Sequence, residues 1–288
     1  MSSTLLQVIA GGLLLGAVYA LFSSGLTLIW GMMNVVNFAH GDFVMLGMYV
    51  AFVTWKLTGG GPLEAVPLAA LALATLGVVC YFALIRDVMR GPMLAQILGT
   101  FGLALLLRYA TFWYFGANFQ TLPDTLVGGT LQLGPLRIEA SRLLAGVVAL
   151  AVTAGLHLLL TRTPLGSRML AVSEDAAAAE LMGIRPERMQ AAAWALAAGA
   201  TGIAGALIAN FFYISPTVGE TLAIVAFVTV SLGGFGSVPG ALIAGLLLGV
   251  IESVSAYELG AIYKDIVVYT LFVAVLWLRP QGLLGKAS

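Results

Sequence analysis

The chain has 288 residues, of which 60% are hydrophobic and only 9% charged, and its formal net charge is zero. A soluble domain carries about 25% charged residues, and a single core stops growing near this length, so lipid must solvate much of the surface. Zero net charge gives no long-range attraction to nucleic acid, the lone cysteine, Cys80, excludes an internal disulfide, and no Cys/His cluster has metal-ligand spacing.

A membrane-spanning helix needs about 20 mostly apolar residues. In chain order the candidates are 5–31, 42–55, 66–85, 93–114, 143–160, 191–211, 221–232, 238–256 and 266–278. The first run is too long for the apolar part of a signal peptide and lacks its basic flank and cleavage site, so it is expected to be a retained first span. Segments 42–55 and 221–232 are short, and each adjoins a Gly- and polar-rich break; the stretches 34–57 and 221–240 are expected either to span or to re-enter. Segment 116–141, rich in Gly, Thr and Pro, has room for a short hairpin. The fold class is all-α integral membrane, one domain over 1–288, with about eight or nine transmembrane segments.

Basic residues set the orientation, because they collect on the cytoplasmic side. With 162–190 inside, Arg86, Arg90, Arg162, Arg168, Arg185, Arg188, Arg279 and Lys286 fall inside. Lys56, Arg137, Arg142 and Lys264 fall outside, and Arg108 lies within a span. Nine crossings then place the N-terminus outside and the C-terminus in the cytoplasm.

The first break reads Asn34-Val-Val-Asn37-Phe-Ala-His40-Gly41-Asp42. Lipid cannot satisfy backbone groups freed by a helix break, so polar side chains there must face protein or a water-filled cavity. Two readings stand: Asn34, Asn37, His40 and Asp42 line a translocation route, or they form an ordinary cytoplasmic turn with Asp42 capping the next helix. A second break, 233–240, reads GGFGSVPG, and Gly233, Gly234, Gly236 and Gly240 are candidates for close helix packing. The stretch 31–42, GMMNVVNFAHGD, and 233–240 form a weak internal echo, of the kind that marks the pathway in transporters built from repeats.

The stretch 162–190 is the one long polar interruption. Ser173 can cap a short helix whose first turn holds Glu174 and Asp175, where negative charge meets the positive helix end. Ala176–Ala179 favours helix, Gly183 ends it, and Pro186 suits the first turn of the next. Leu181, Met182 and Ile184 are apolar yet have no membrane to enter. They either dock on a partner or pack on the chain's own cytoplasmic ends.

Gly12 with Gly16, Ala198 with Gly202, and Gly245 with Gly249 give small-xxx-small spacing, which lets membrane helices approach closely. Among isolated polar groups, Arg108, His157 and Glu252 lie in or near spans and are candidates for structural pairs, and Arg108 also stands close enough to Tyr114 to snorkel outward. There is no Ser-His-Asp set, no HExxH and no phosphate-binding GxxxxGK[ST] loop. The chain has no visible nucleotide site of its own.

The stretch GLLLGAVYALFSSGLTLIWGMMNVVNFAHGDFVMLGMYVAF resembles the N-terminal part of permease subunits of bacterial branched-chain amino-acid ABC importers, of the LivH type. EDAAAAELMGI, SLGGFGSVPGALIAGLLLGVIES and YKDIVVY followed by LRPQGLLG extend the resemblance over nearly the whole chain. It implies an ABC importer permease fold in the bacterial inner membrane, with no catalytic residue and no cofactor. The implied partners are a second homologous permease subunit, two ATPase subunits that bind the ATP, and a periplasmic substrate-binding protein. Glu174, Asp175, Leu181, Met182 and Gly183 would then belong to the segment that seats in the ATPase, and both polar breaks would lie near the route. The chain departs at Val225, where many family members carry lysine. Related permeases serve urea or short amides. A self-contained secondary transporter would need Asp42, Glu220 or Glu252 as coupling-ion ligands, and an intramembrane enzyme would need an acid/base or metal set.

Overall fold

A computed structural model describes residues 3–123, 128–134, 136–279 and 281–284. Thr125 and the rest of 124–127 within the expected external segment, and Lys286 among the expected internal cations, lie outside the described residues. Each of the nine apolar runs forms a helix. α1 (Ser3–Met33) is followed by α2 (His40–Thr58) and α3 (Pro62–Cys80), which runs through a π-helical turn at Tyr81–Ile85 into α4 (Arg86–Val88). α5 (Met93–Phe115) leads to an antiparallel hairpin, β1 (Thr130–Leu133) with β2 (Leu136–Glu139), in register Thr130 to Glu139. α6 (Ala140–Arg162) is succeeded by two short helices, α7 (Pro164–Glu174) and α8 (Ala176–Leu181). α9 (Pro186–Ile208), α10 (Val218–Gly233), α11 (Val238–Leu259) and α12 (Lys264–Leu278) complete the chain.

Among the described residues, six helices are long and apolar enough to cross a membrane: Thr4–Met33, Glu64–Val88, Met93–Phe115, Ala140–Arg162, Pro186–Ile208 and Val238–Leu259. The count falls short of eight or nine because α2 carries His40, Asp42 and Lys56, while α10 and α12 have only 16 and 15 residues.

α9 is the axis of the bundle: 78% of its span is buried, against 17% for α5. Its sequence explains this. Ala and Gly dominate from Ala191 to Gly205, so α1, α2 and α3 all pack on it at close range. In lipid, apolar contact alone drives no association, and small residues that let backbones meet supply the packing instead. α1 and α11 join in the same way. A Cβ added at Gly12 would stand 2.7 Å from the Gly249 carbonyl oxygen, and one at Gly16 would stand 2.5 Å from that of Gly245. The two glycine pairs legible in the sequence are thus partners of each other. Around this frame, Tyr19 and Phe22 of α1, Met45 and Met48 of α2, Leu222 of α10 and Leu248 of α11 form the main core. At the opposite end, Leu28, Met32, Leu156, Met169, Val172 and Ala179 hold α7 and α8 against α1 and α6.

Candidate functional site

The first break is built to return the chain into the bundle. Asn34 ends α1 in the left-handed region at φ 53°, with its N–H donating to the Trp30 carbonyl at 2.8 Å. Asparagine is among the few non-glycine residues that adopt this cap. Asn37 then closes the turn: its Oδ1 accepts from the Ala39 N–H at 3.1 Å, and its carbonyl accepts from the His40 N–H at 3.2 Å. His40 Nε2 lies 2.7 Å from the carbonyl oxygen of Phe22, which can only accept, so this nitrogen carries the proton. Phe22 sits about 16 Å of helix above the end of α1. α2 therefore starts inside the bundle, not at its edge. Asn37, His40 and Asp42 are buried, and Asn34 is exposed.

α10 also starts inside the bundle, against the first turn of α2. A Cβ on Gly41 would collide with the Gly219 carbonyl, and one on Gly219 would stand 2.8 Å from Asp42 Oδ1. Only glycine at both positions permits this crossing. It sets Asp42 of α2 beside Glu220 of α10. Arg108 of α5 reaches both carboxylates: its Nε is 3.1 Å from Asp42 Oδ1 and its Nη2 3.3 Å from Oδ2, while Nη1 pairs with Glu220. Asp42 has no side-chain exposure and Arg108 has 13%, whereas Glu220 has 60%. Two expectations are corrected here. Arg108 does not snorkel outward, because a buried carboxylate holds it inward. Asp42 does not cap α2, whose N-cap position is Ala39 with no side-chain bond, because the carboxylate is turned to Arg108.

The second break meets the end of α1. Gly236 donates its N–H to Thr27 Oγ1 at 2.7 Å, and Trp30 packs on Phe235 with ring centroids 4.6 Å apart. Gly234 and Gly236 take positive φ, and Gly233 and Gly240 approach so closely that neither has room for a Cβ. The chain's end closes over this corner, Leu283 and Leu284 donating to the carbonyls of Leu232 and Gly233 at 2.8 and 3.0 Å. The second break thus touches the last turns of α1 at Gly31.

The stretch 162–190 is more ordered than its composition suggests. α7 is an added helix, capped by Thr163, whose Oγ1 accepts from Gly166. The cap of α8 is Asp175, not Ser173: Asp175 Oδ1 accepts from the Ala178 N–H at 2.9 Å, while Ser173 bonds back to the Leu170 carbonyl. Glu174 closes α7, so neither acid lies within the first turn of α8 as expected. Gly183 terminates it at φ 80°. Ala179 faces inward, and Leu181 and Met182 stand 90% and 82% exposed at the tip.

A second ion pair sits where α11 meets α12. Glu252 accepts from Tyr19 at 2.9 Å and pairs with Lys264. Among the described residues no set of His, Cys, Asp and Glu gathers as a metal site requires. The Asp42–Arg108–Glu220 cluster was the main feature missed in the sequence. One signal pointed to it: a lone arginine inside a span needs a partner, and both short helices open on Gly followed by an acid.

A family model described as "Branched-chain amino acid transport system / permease component" matches residues 8–276. Similar proteins include the high-affinity branched-chain amino acid transport system permease protein BraD of Pseudomonas aeruginosa, 32% identical over 98% of this chain and 96% of that protein. LivH of Escherichia coli, with the same description, is 30% identical over 98% and 96%. LivM of Escherichia coli is 28% identical over 93% of this chain and 68% of that protein. A solved structure, PsaBC from Streptococcus pneumoniae in complex with Fab, shares the fold at TM-score 0.50 and 10% identity, covering 94% of this chain and 92% of that one.

Proposed function

The chain belongs to the branched-chain amino acid transport system permease family, and from that premise we propose that it forms half of the membrane route of an ATP-driven importer for branched-chain or related amino acids. It is a multi-pass membrane transport protein of the LivH type and not an enzyme. The other half of the route comes from a second homologous permease; that the chain is similar to both LivH and LivM supports two related subunits side by side. Two ATPase subunits bind and hydrolyse the ATP on the cytoplasmic side, and a periplasmic binding protein delivers substrate.

The observation that carries this reading is the tip of α8. Leu181 and Met182 are exposed on a helix capped at both ends and pinned beneath by Ala179. Two bare apolar side chains on a rigid cytoplasmic mount suit a cleft in a soluble partner. Glu174, Asp175 and Gly183 shape that mount. α2, α10 and α12 join the six long helices to make nine crossings, with the N-terminus outside and the C-terminus inside the inner membrane. Asn34, Asn37, His40 and Asp42 brace the route beside the interrupted start of α2, and Gly233, Gly234, Gly236 and Gly240 lock its cytoplasmic corner. Against a secondary transporter, Asp42 and Glu252 are already held by Arg108 and Lys264.

The test is uptake into proteoliposomes holding the full set of subunits, loaded with ATP, across a panel of amino acids and urea. Leucine, isoleucine and valine are expected to enter. Entry of urea with no entry of any amino acid refutes the assignment.

A further inference from the structure

The geometry points to the Arg108–Glu220 ion pair as an exchangeable site for the two charges of an amino acid, an inference that rests on the permease reading above. Arg108 is shared by two carboxylates of opposite character. Asp42 is fully buried and grips Nε and Nη2 as a fork, the geometry that fixes a guanidinium most firmly. Glu220 takes only the remaining Nη1 and is 60% exposed. One carboxylate would suffice to neutralise the arginine. A second, beside an already neutral pair, leaves one negative charge over in the membrane part of the chain, and an ionisable group there is a sign of function.

The face of α10 that carries Glu220 also exposes Thr217, Thr221 and Ile224. A charged and hydroxyl-bearing face is unsuited to lipid and suited to a water-filled route. α5, which supplies Arg108, packs on α2 and the π-helical turn, and Arg108 reaches α10 through its pairing with Glu220.

Charge bookkeeping selects the ligand. When the Arg108–Glu220 limb opens, an α-carboxylate takes Nη1 of Arg108 and an α-ammonium takes the Glu220 carboxylate. One ion pair becomes two, no net charge changes, and Asp42 keeps Arg108 in place throughout. A neutral amide or urea opens the same limb and returns no charge to either group. The site therefore discriminates zwitterions from uncharged amides, a distinction that family membership leaves open.

The test uses the complete importer in ATP-loaded proteoliposomes with its binding protein, with rates normalised to recovered complex. Glu220→Gln is expected to lower leucine uptake about tenfold or more, the loss that a missing charge-assisted hydrogen bond produces, and Glu220→Asp to retain most of it. A second readout does not depend on rate. Thr217→Cys, introduced with Cys80→Ala, is labelled by an impermeant thiol reagent during turnover. Leucine is expected to slow this labelling, and Glu220→Gln to abolish the slowing. Leucine uptake by Glu220→Gln equal to the parent, or undiminished protection of the cysteine in that background, overturns the site. A parent importer that moves no amino acid refutes the permease reading itself, which is a different outcome.

Discussion

The first turns of α2 and α10 make an instructive pair. Each helix carries Gly and then an acid in its first turn, and the two glycines touch. Yet Asp42 is sealed and Glu220 is open. The shared arginine explains how both persist, and the exposure explains why they should respond differently to change. A buried charge that loses its partner leaves the other uncompensated, at a cost of about 3–5 kcal/mol. An exposed one is hydrated and contributes about 0–1 kcal/mol.

The largest effect tests that contrast directly. Asp42→Ala is expected to destabilise the membrane domain by about 3–5 kcal/mol, because Arg108 then stays buried without its fork. A fall in the thermal midpoint of the detergent-purified complex is the measurement; an unchanged midpoint breaks the comparison. Next in size is Gly41→Val, which forces the two first turns apart. Overpacking of a filled contact costs about 1–3 kcal/mol, so the midpoint drops less than for Asp42→Ala. A well-folded Gly41→Val protein would show that the crossing of α2 and α10 is looser than described. Glu220→Gln should shift the midpoint by the equivalent of about 1 kcal/mol or less. A shift as large as that of Asp42→Ala would make Glu220 a structural group and remove its role in the route.

The smallest stability effect belongs to the far end of the molecule. Leu181→Asp lies on an exposed tip, where substitutions usually stay within about 0.5 kcal/mol. Its midpoint should match the parent while the ATPase fails to co-purify and uptake ceases. Full co-purification and uptake would leave the tip of α8 without its docking role.

Much of the fold was legible in the sequence because lipid imposes a simple rule: apolar runs become helices. All nine runs did so, and the small-residue pairs of α1 and α11 found each other. The number of crossings was less legible, since the 16 residues of α10 satisfy composition but not length. In the polar stretch 162–190, Gly183 was readable from its chemistry. The Asp175 cap was not, because Ser173 and Asp175 are both favoured cap residues two positions apart and only packing selects one. The site was half legible. Asn37, His40 and Asp42 were visible as polar groups at a break. The link of Asp42 to Arg108, 66 residues on, and of Arg108 to Glu220, 112 residues further, depends on a glycine crossing that only the three-dimensional arrangement reveals.

The central claim is that this chain is a passive half-route driven by a partner's ATP. The most direct measurement is the initial rate of leucine uptake in proteoliposomes carrying the whole importer, with and without ATP in the compartment that faces the ATPases, under imposed and collapsed ion gradients. Uptake is expected to require ATP and the binding protein and to be indifferent to the gradients. Uptake driven by a proton or sodium gradient without ATP would contradict it, and would return Asp42, Glu220 and Glu252 to the role of coupling-ion ligands.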